Sequence, residues 1–162
     1  RIVAFLDPWA HAQDDGFQLV QSSIGFGVGG VFGQGLGEGR QKLFYLPAPH
    51  TDFIFSVIGE ELGLIGTCGV VAFYVLFLCL GLRIALRAKD SFGSFLAAGI
   101  TLMISFQALL NIAVVTGLTP TKGLTLPFIS YGGNSLVISM ISVAVLINIA
   151  RHQRKTSASV AW

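Results

Sequence analysis

Charged side chains are scarce in this sequence and are missing from long parts of it. Asp, Glu, Lys and Arg make up 11% of the 162 residues, whereas a soluble domain carries about 25%. None occurs between Glu61 and Arg83, between Asp90 and Lys122, or between Lys122 and Arg151. A helix needs roughly 20 apolar residues to cross a bilayer. Because each gap is that long or longer, the sequence predicts three transmembrane helices and disfavours a soluble helical protein.

Cysteine and recognisable processing signals are also nearly absent. The two cysteines, Cys68 and Cys79, both fall inside the first apolar stretch, where a disulfide framework or a metal knuckle is not expected. The chain begins at Arg1, without an initiator methionine or a signal sequence. Since its polar first third must reach the outer side, we expect the C-terminal part of a longer polytopic protein.

The few positive charges predict an orientation in the membrane. They cluster in the 83–94 link and in the 150–162 tail, whereas the 119–130 link carries only Lys122. Loops rich in Lys and Arg stay on the cytoplasmic side. The 83–94 link and the tail are therefore predicted inside, and residues 1–52 and 119–130 outside.

The predicted fold is an all-α polytopic membrane protein with a large extracytoplasmic loop before its first span. Gly59 and Gly63 share a face of that span, and such small-residue pairs let helices approach closely. Glu60 and Glu61, in its first turns, are expected near the outer interface. The transmembrane helices are predicted over residues 53–82, 95–118 and 131–149.

Residues 18–32 of the outer loop are mildly apolar, but short and rich in glycine. They predict a helix that lies at the interface or re-enters the protein. A fourth transmembrane helix is the alternative, because the charge rule also tolerates Arg1 inside.

Two amides, Gln107 and Asn111, lie four residues apart in the second predicted span. Amides at membrane depth face the interior of a bundle and hydrogen-bond across it, so this role is favoured over substrate contact. The Pro- and Gly-rich segment 119–133 disfavours continuous helix. Non-helical backbone at membrane depth is tolerated where protein buries it or water reaches it, which makes this loop a candidate wall of a cavity.

Asp52 stands at the start of the first predicted span, where an aspartate commonly caps a helix. A helix N-terminus would lower the pKa of its carboxyl. A carboxylate at a cavity mouth, with His50 nearby, also suits a general base or a hard-metal ligand. Lys122 has two readings as well: it snorkels to the interface or meets an anionic headgroup.

Three blocks of sequence together resemble the SEDS family of bacterial cell-wall proteins (shape, elongation, division and sporulation). They are GQGLG (33–37) leading into QKLFYLPAPHTDFIFSVIGEELGLIG (41–66), QALLNI (107–112) and PTKGLTLPFISYGGNSL (120–136). The resemblance covers essentially the whole chain, and QKLFYLP is closer to the FtsW branch than to the RodA or sporulation branches. Ala48 stands where FtsW-like proteins usually have glutamate, and Asn134 replaces a serine. A role of that glutamate is therefore not carried over.

The resemblance implies a ten-helix membrane protein, of which this chain would form the last three helices. It implies a peptidoglycan glycosyltransferase that polymerises lipid II, the undecaprenyl-pyrophosphate-linked disaccharide peptide, at the division septum of the bacterial inner membrane. Partners would be a class B penicillin-binding transpeptidase and other divisome membrane proteins, with no nucleic acid. A lipid II flippase or a division scaffold is the alternative, which polymerisation by purified protein would separate from the enzyme.

In this family the aspartate of the H-T-D-F block is tied to catalysis, and here it is Asp52. We expect Asp52 to act as the base in an inverting transfer, with a Mg²⁺ or Mn²⁺ ion beside it and no organic cofactor. Substrate contacts are predicted from Lys122, Arg40, His50, Thr51 and Ser130. A polar core is predicted from Glu60, Glu61, Gln107 and Asn111.

Overall fold

A computed structural model describes residues 17–35, 52–88, 90–120 and 123–158, the side chains of 153–158 excepted. Within these residues the chain is all-helical and has no strand, which confirms the predicted fold class. The helices are α1 (Phe17–Gly29), α2 (Ile54–Arg87), α3 (Ser91–Val115) and α4 (Gly133–Ala158).

Three of these helices are long and apolar enough to cross a membrane: α2, α3 and α4 up to His152. The ends of α2 and α3 differ from the predicted bounds. α2 continues beyond residue 82 to Arg87, because a long basic side chain can reach the interface from a helix end. α3 begins at Ser91 instead of 95, since the Asp90 carboxylate accepts a hydrogen bond from Gly93 N at 2.6 Å and caps the helix.

The short helix α1 packs inside the protein against α2 and the end of α3. Its 13 residues span about 20 Å, less than the roughly 30 Å of a bilayer core. Ser22 is fully buried, donates to Val115 O at 2.7 Å and accepts from Ser56 Oγ at 3.2 Å. Phe26 meets Phe55 edge to face, with ring centroids 5.8 Å apart. The described part of α1 therefore packs on α2 and α3, and the choice between a re-entrant helix and a fourth transmembrane helix stays a prediction.

α2 is interrupted at Gly63, whose φ of 64° and ψ of −156° are not helical. The amides of Leu64 and Ile65 donate outside the helix, to Gly30 O at 3.0 Å and Val31 O at 3.4 Å. The carbonyls they would have used in a continuous helix, those of Glu60 and Glu61, accept from Gln34 N at 3.0 Å and Gly35 N at 3.1 Å. The segment after α1 therefore replaces the hydrogen bonds that the break removes from α2. The uninterrupted helix predicted from residue 53 was wrong at this point.

Glycines also set the spacing of the helices. A Cβ built on Gly29 would lie 2.0 Å from Gly59 O, so α1 and α2 touch through bare backbone. Further along α2, a Cβ on Gly81 would lie 2.3 Å from Thr101 Oγ1 of α3. Such contacts bring helices closer than larger side chains permit. The predicted packing role of Gly59 is confirmed, whereas Gly63 mainly permits the break.

We predict that Gly63→Ala destabilises the fold. The new Cβ would lie 2.4 Å from Gly33 N and 2.6 Å from Val31 O, and φ at this position is positive. A non-glycine residue in such a backbone conformation costs about 1–3 kcal/mol even before the clash is counted. The matched control is Gly69→Ala in the same helix, where a Cβ meets nothing within 4 Å. Thermal unfolding of the full-length protein in detergent should show a lower Tm for Gly63→Ala only, and equal Tm values for both variants would refute the prediction.

The orientation predicted from the charges can be tested with single cysteines. Cys68 and Cys79 are first replaced by alanine, and cysteine is then placed at the exposed positions Ser91 or Tyr131. A membrane-impermeant maleimide should label the Tyr131→Cys variant from the outside. It should label the Ser91→Cys variant only after the membrane is permeabilised. The reverse pattern would invert the orientation.

Candidate active site

Asp52 lies immediately before α2 but does not cap it. The N-cap position is occupied by Phe53, and no side-chain hydrogen bond caps this helix. The Phe53 carbonyl instead accepts from Ser56 N at 3.0 Å. The interpretation of Asp52 as a helix cap was therefore wrong, and its carboxylate is left for another role.

The carboxylate of Asp52 faces the loop that follows α3. A Cβ built on Gly123 would lie 3.0 Å from Asp52 Oδ2, so the loop backbone closes over the acid where only glycine fits easily. Burial raises the pKa of the Asp52 carboxyl above its ordinary value. This direction is opposite to the lowering of the pKa expected from a helix N-terminus, and its cause is the loss of water around the charged form.

Asn111 of α3 connects Asp52 to the same loop. Its side chain is buried, and Nδ2 donates to Asp52 O at 2.9 Å and to Leu124 O at 2.5 Å. The amide faces the interior, as its position at membrane depth predicts, but its acceptors are backbone carbonyls of non-helical segments. Asn111 therefore supports the irregular backbone around Asp52.

Gln107, one turn earlier on α3, holds the next residue of the loop. Its Nε2 lies 3.0 Å from Thr125 O and 3.4 Å from Thr125 Oγ1. The Thr125 hydroxyl is in turn 3.1 Å from Ser135 Oγ on α4. The two amides of α3 thus bind successive carbonyls of the loop, and α4 completes the support.

α2 holds the far end of the loop with aromatic side chains. The Tyr74 hydroxyl donates to Pro127 O. Phe128 has a positive φ of 69° and packs against Phe73 and Phe77, with ring centroids 6.4 and 6.0 Å apart. A strained conformation of this kind persists only where its surroundings fix it. The loop is thereby anchored to α2, α3 and α4.

Ser130 belongs to this support and not to an open surface. It is 5% exposed, and its Oγ accepts from Leu126 N at 2.7 Å. The side chain is buried within the loop, and the predicted substrate contact of Ser130 stays a prediction. Glu60 and Glu61 are also buried, at 2% and 7% exposure, next to the break in α2.

Four other predicted substrate contacts lie outside the described residues: Arg40, His50, Thr51 and Lys122. The structure does not test whether they lie near Asp52, and their substrate contacts stay predictions. Within the described residues no three His, Cys, Asp or Glu side chains are grouped to hold a metal ion. A Mg²⁺ or Mn²⁺ ion at Asp52 would need ligands from outside the described residues, and it also stays a prediction.

Sequence reasoning missed Gly123 and Tyr74. A tyrosine inside an apolar span gives a usable signal, because a buried hydroxyl at membrane depth needs a partner. Gly123 gives none, since its importance comes from its closeness to Asp52, far away in the chain.

Comparison with known proteins relates most of the chain to one family. Residues 1–155 match the FtsW/RodA/SpoVE family model, described as "Cell cycle protein". The chain is 56% identical over 154 residues to the "Probable peptidoglycan glycosyltransferase FtsW" of Geobacter sp. (strain M18), covering 95% of this chain and 42% of that protein. It is 51% identical over 154 residues to the "Stage V sporulation protein E" of Bacillus subtilis (strain 168), covering 95% and 42%. The chain thus spans about two fifths of the length of these relatives.

Two solved structures share the fold. One is described as "Structural coordination of polymerization and crosslinking by a peptidoglycan synthase complex", with a TM-score of 0.75 and 28% identity, covering 94% of this chain and 41% of that one. The other is a mutant of the rod shape determining protein RodA of Thermus thermophilus, with a TM-score of 0.64 and 31% identity, covering 81% and 40%. By its sequence and its fold, this chain is a membrane protein of the FtsW/RodA/SpoVE family, the SEDS proteins.

Proposed function

We propose that the protein is a peptidoglycan glycosyltransferase that polymerises lipid II into glycan strands during bacterial cell division. The observation that carries this proposal is a partly buried carboxylate, that of Asp52, which faces an irregular loop; the amide of Asn111 binds the backbone carbonyls of Asp52 and of Leu124 in that loop. The names of the relatives agree with it, since several at 56–57% identity are called peptidoglycan glycosyltransferase FtsW. A sporulation relative at 51% falls in the same range of identity as other relatives named FtsW, at 50–51%, so the division branch is proposed on the QKLFYLP segment.

In this proposal Asp52 is the general base. The 4-hydroxyl of the acceptor sugar attacks the anomeric carbon of the donor while its proton passes to the Asp52 carboxylate. A bond forms between the hydroxyl oxygen and the anomeric carbon, the bond from that carbon to pyrophosphate breaks, and undecaprenyl pyrophosphate leaves with inversion. A carboxylate with a raised pKa is a stronger base than an exposed one, and such a base contributes about 10²–10⁴-fold to a rate.

The departing pyrophosphate carries charge that cations stabilise best. We assign this role to Lys122 and Arg40, with His50 and Thr51 as further substrate contacts. A divalent ion at Asp52 would need ligands from outside the described residues, and the transfer above does not use it. The apolar outer faces of α2, α3 and α4 would hold the lipid tail.

The cellular setting follows from the same proposal. The protein would act in the bacterial inner membrane at the septum, with its transfer site on the outer face. A class B penicillin-binding transpeptidase and other divisome membrane proteins would be its partners. The likeness to a synthase complex described by polymerization and crosslinking supports a crosslinking partner.

We predict that Asp52→Asn in the full-length protein lowers lipid II polymerisation by at least about 100-fold, because the amide cannot accept the hydroxyl proton. The variant should fold. Burial raises the pKa of Asp52 in the folded state, so the ionised form, present above that pKa, costs stability that a neutral amide does not. At neutral pH the Tm should therefore equal or exceed that of the wild type. The assay is glycan-strand length by gel electrophoresis with purified protein.

Near-normal glycan strands from folded Asp52→Asn would overturn the assignment of the base. Translocation of the lipid II headgroup in vesicles, without polymer formed by the wild type, would favour a transporter. If the wild-type protein neither polymerises nor translocates lipid II but still binds its membrane partners, it would be a scaffold.

The pH dependence gives an independent prediction. Asp52 must be ionised to act as a base, so kcat/KM should fall as the pH drops through its pKa. Since burial raises that pKa, the fall should begin at a higher pH than for an exposed aspartate, whose pKa is about 3.9. A rate constant that is flat down to pH 4, measured on protein shown to be folded at that pH, would contradict a buried base.

A further inference from the structure

Asn111 joins two separate parts of the site through one amide group. Its Nδ2 donates to Asp52 O at 2.9 Å, just before α2, and to Leu124 O at 2.5 Å, in the loop after α3. A primary amide carries two N–H donors, so both are used. A serine has only one donor, and an ionised aspartate has none.

The hydrogen bond to Leu124 O fixes the residue next to Gly123, which lies against the Asp52 carboxylate. Leu124 follows Gly123, whose Cβ position would lie 3.0 Å from Asp52 Oδ2. Asn111 therefore holds the backbone that carries the carboxylate and the backbone that lies against it. Gln107 provides a contrast, because its amide binds Thr125 of the same loop and makes no hydrogen bond to Asp52.

Packing alone does not explain an asparagine at this position. Asn111 is 1% exposed, and its Oδ1 is buried without a hydrogen-bond partner among the described residues. A leucine of similar size would fill the same space, but it would leave the carbonyls of Asp52 and Leu124 without this donor, and a buried polar group without a partner costs about 1–3 kcal/mol. The two donors of the amide are what a leucine lacks.

We propose that Asn111 is a positioning residue for Asp52: it holds the carboxylate and the 123–126 backbone at a fixed separation, so that the acceptor hydroxyl meets the base in one orientation. The inference rests on the proposed role of Asp52 as the base. α3 supplies a rigid element for this purpose, since Asn111 stands in its last turns, whereas Asp52 and the loop are not helical.

The test compares Asn111→Leu with Thr101→Val in the purified full-length protein. Thr101 is a matched control, because it is buried in the same helix and its hydroxyl bonds within that helix, to Ala97 O at 2.7 Å. Asn111→Leu should lower the kcat of lipid II polymerisation by at least about 10-fold, since a small displacement of a reacting group has effects up to about 100-fold. The KM should change little, and Thr101→Val should keep the wild-type kcat.

The pH profile separates positioning from a general loss of structure. In Asn111→Leu a looser loop should admit water to the Asp52 carboxylate and so lower its raised pKa. The decrease of kcat/KM at acid pH, the acid limb of the profile, should therefore begin at a lower pH than in the wild type. A merely structural defect would lower activity equally at every pH. Of the other titratable groups close in sequence to Asp52 or Gly123, His50 and Lys122 lie outside the described residues, and Glu60 and Glu61 lie further along α2. All four are unchanged in both variants.

A kcat within about twofold of the wild type, or an unshifted acid limb, overturns the proposal. If Asn111→Leu does not fold, Asn111→Ser is measured instead. Because serine keeps one donor, the pH at which kcat/KM falls should move in the same direction but by less. No movement of that pH in Asn111→Ser would refute the proposal. An active Asp52→Asn would remove the proposed function itself. An inactive Asp52→Asn with an unshifted Asn111 variant would remove only the positioning role.

Discussion

Inside a membrane there is no water to satisfy backbone N–H and C=O groups, so each non-helical segment depends on partners from elsewhere in the protein. This requirement explains both irregular regions of the chain. At Gly63 the break in α2 is repaired by the backbone of residues 30–35, which supplies two donors and two acceptors. After α3, side chains do the same work, with Gln107, Asn111 and Tyr74 binding loop carbonyls.

The same hydrogen bonds bring the Asp52 carboxylate and the loop that lies against it together. Asp52 and Gly123 lie in segments that are distant in the chain. The amide of Asn111 binds the carbonyl of Asp52 and the carbonyl of Leu124, which follows Gly123. Burial at this junction raises the pKa of Asp52, which strengthens it as a base. A partly desolvated acid at this junction costs stability, as functional sites commonly do.

The sequence predicts this structure where the signal is local. Long gaps between charges predict three apolar helices, and amides at membrane depth predict side chains that face inward. The prediction fails where two distant segments meet. A glycine four residues from Gly59 looks like a packing residue, and only the segment 30–35 reveals Gly63 as a break. The pKa of Asp52 likewise depends on its burial, which the sequence does not show, so a lowered value was expected from the helix end alone.

The central claim is that the loop closes over residue 52, and a disulfide tests it most directly. Cys68 and Cys79 are replaced by alanine, and Asp52→Cys is combined with Gly123→Cys in the full-length protein. A disulfide requires Cβ atoms about 3.5–4.5 Å apart. The Cγ of Asp52, whose place a cysteine sulfur would take, lies 3.9 Å from the Gly123 Cβ position, so a small adjustment allows the bond. Mild oxidation should give the crosslink quantitatively by mass spectrometry, and more slowly with Asn111→Leu. No crosslink with Asn111 intact would contradict this arrangement of the site.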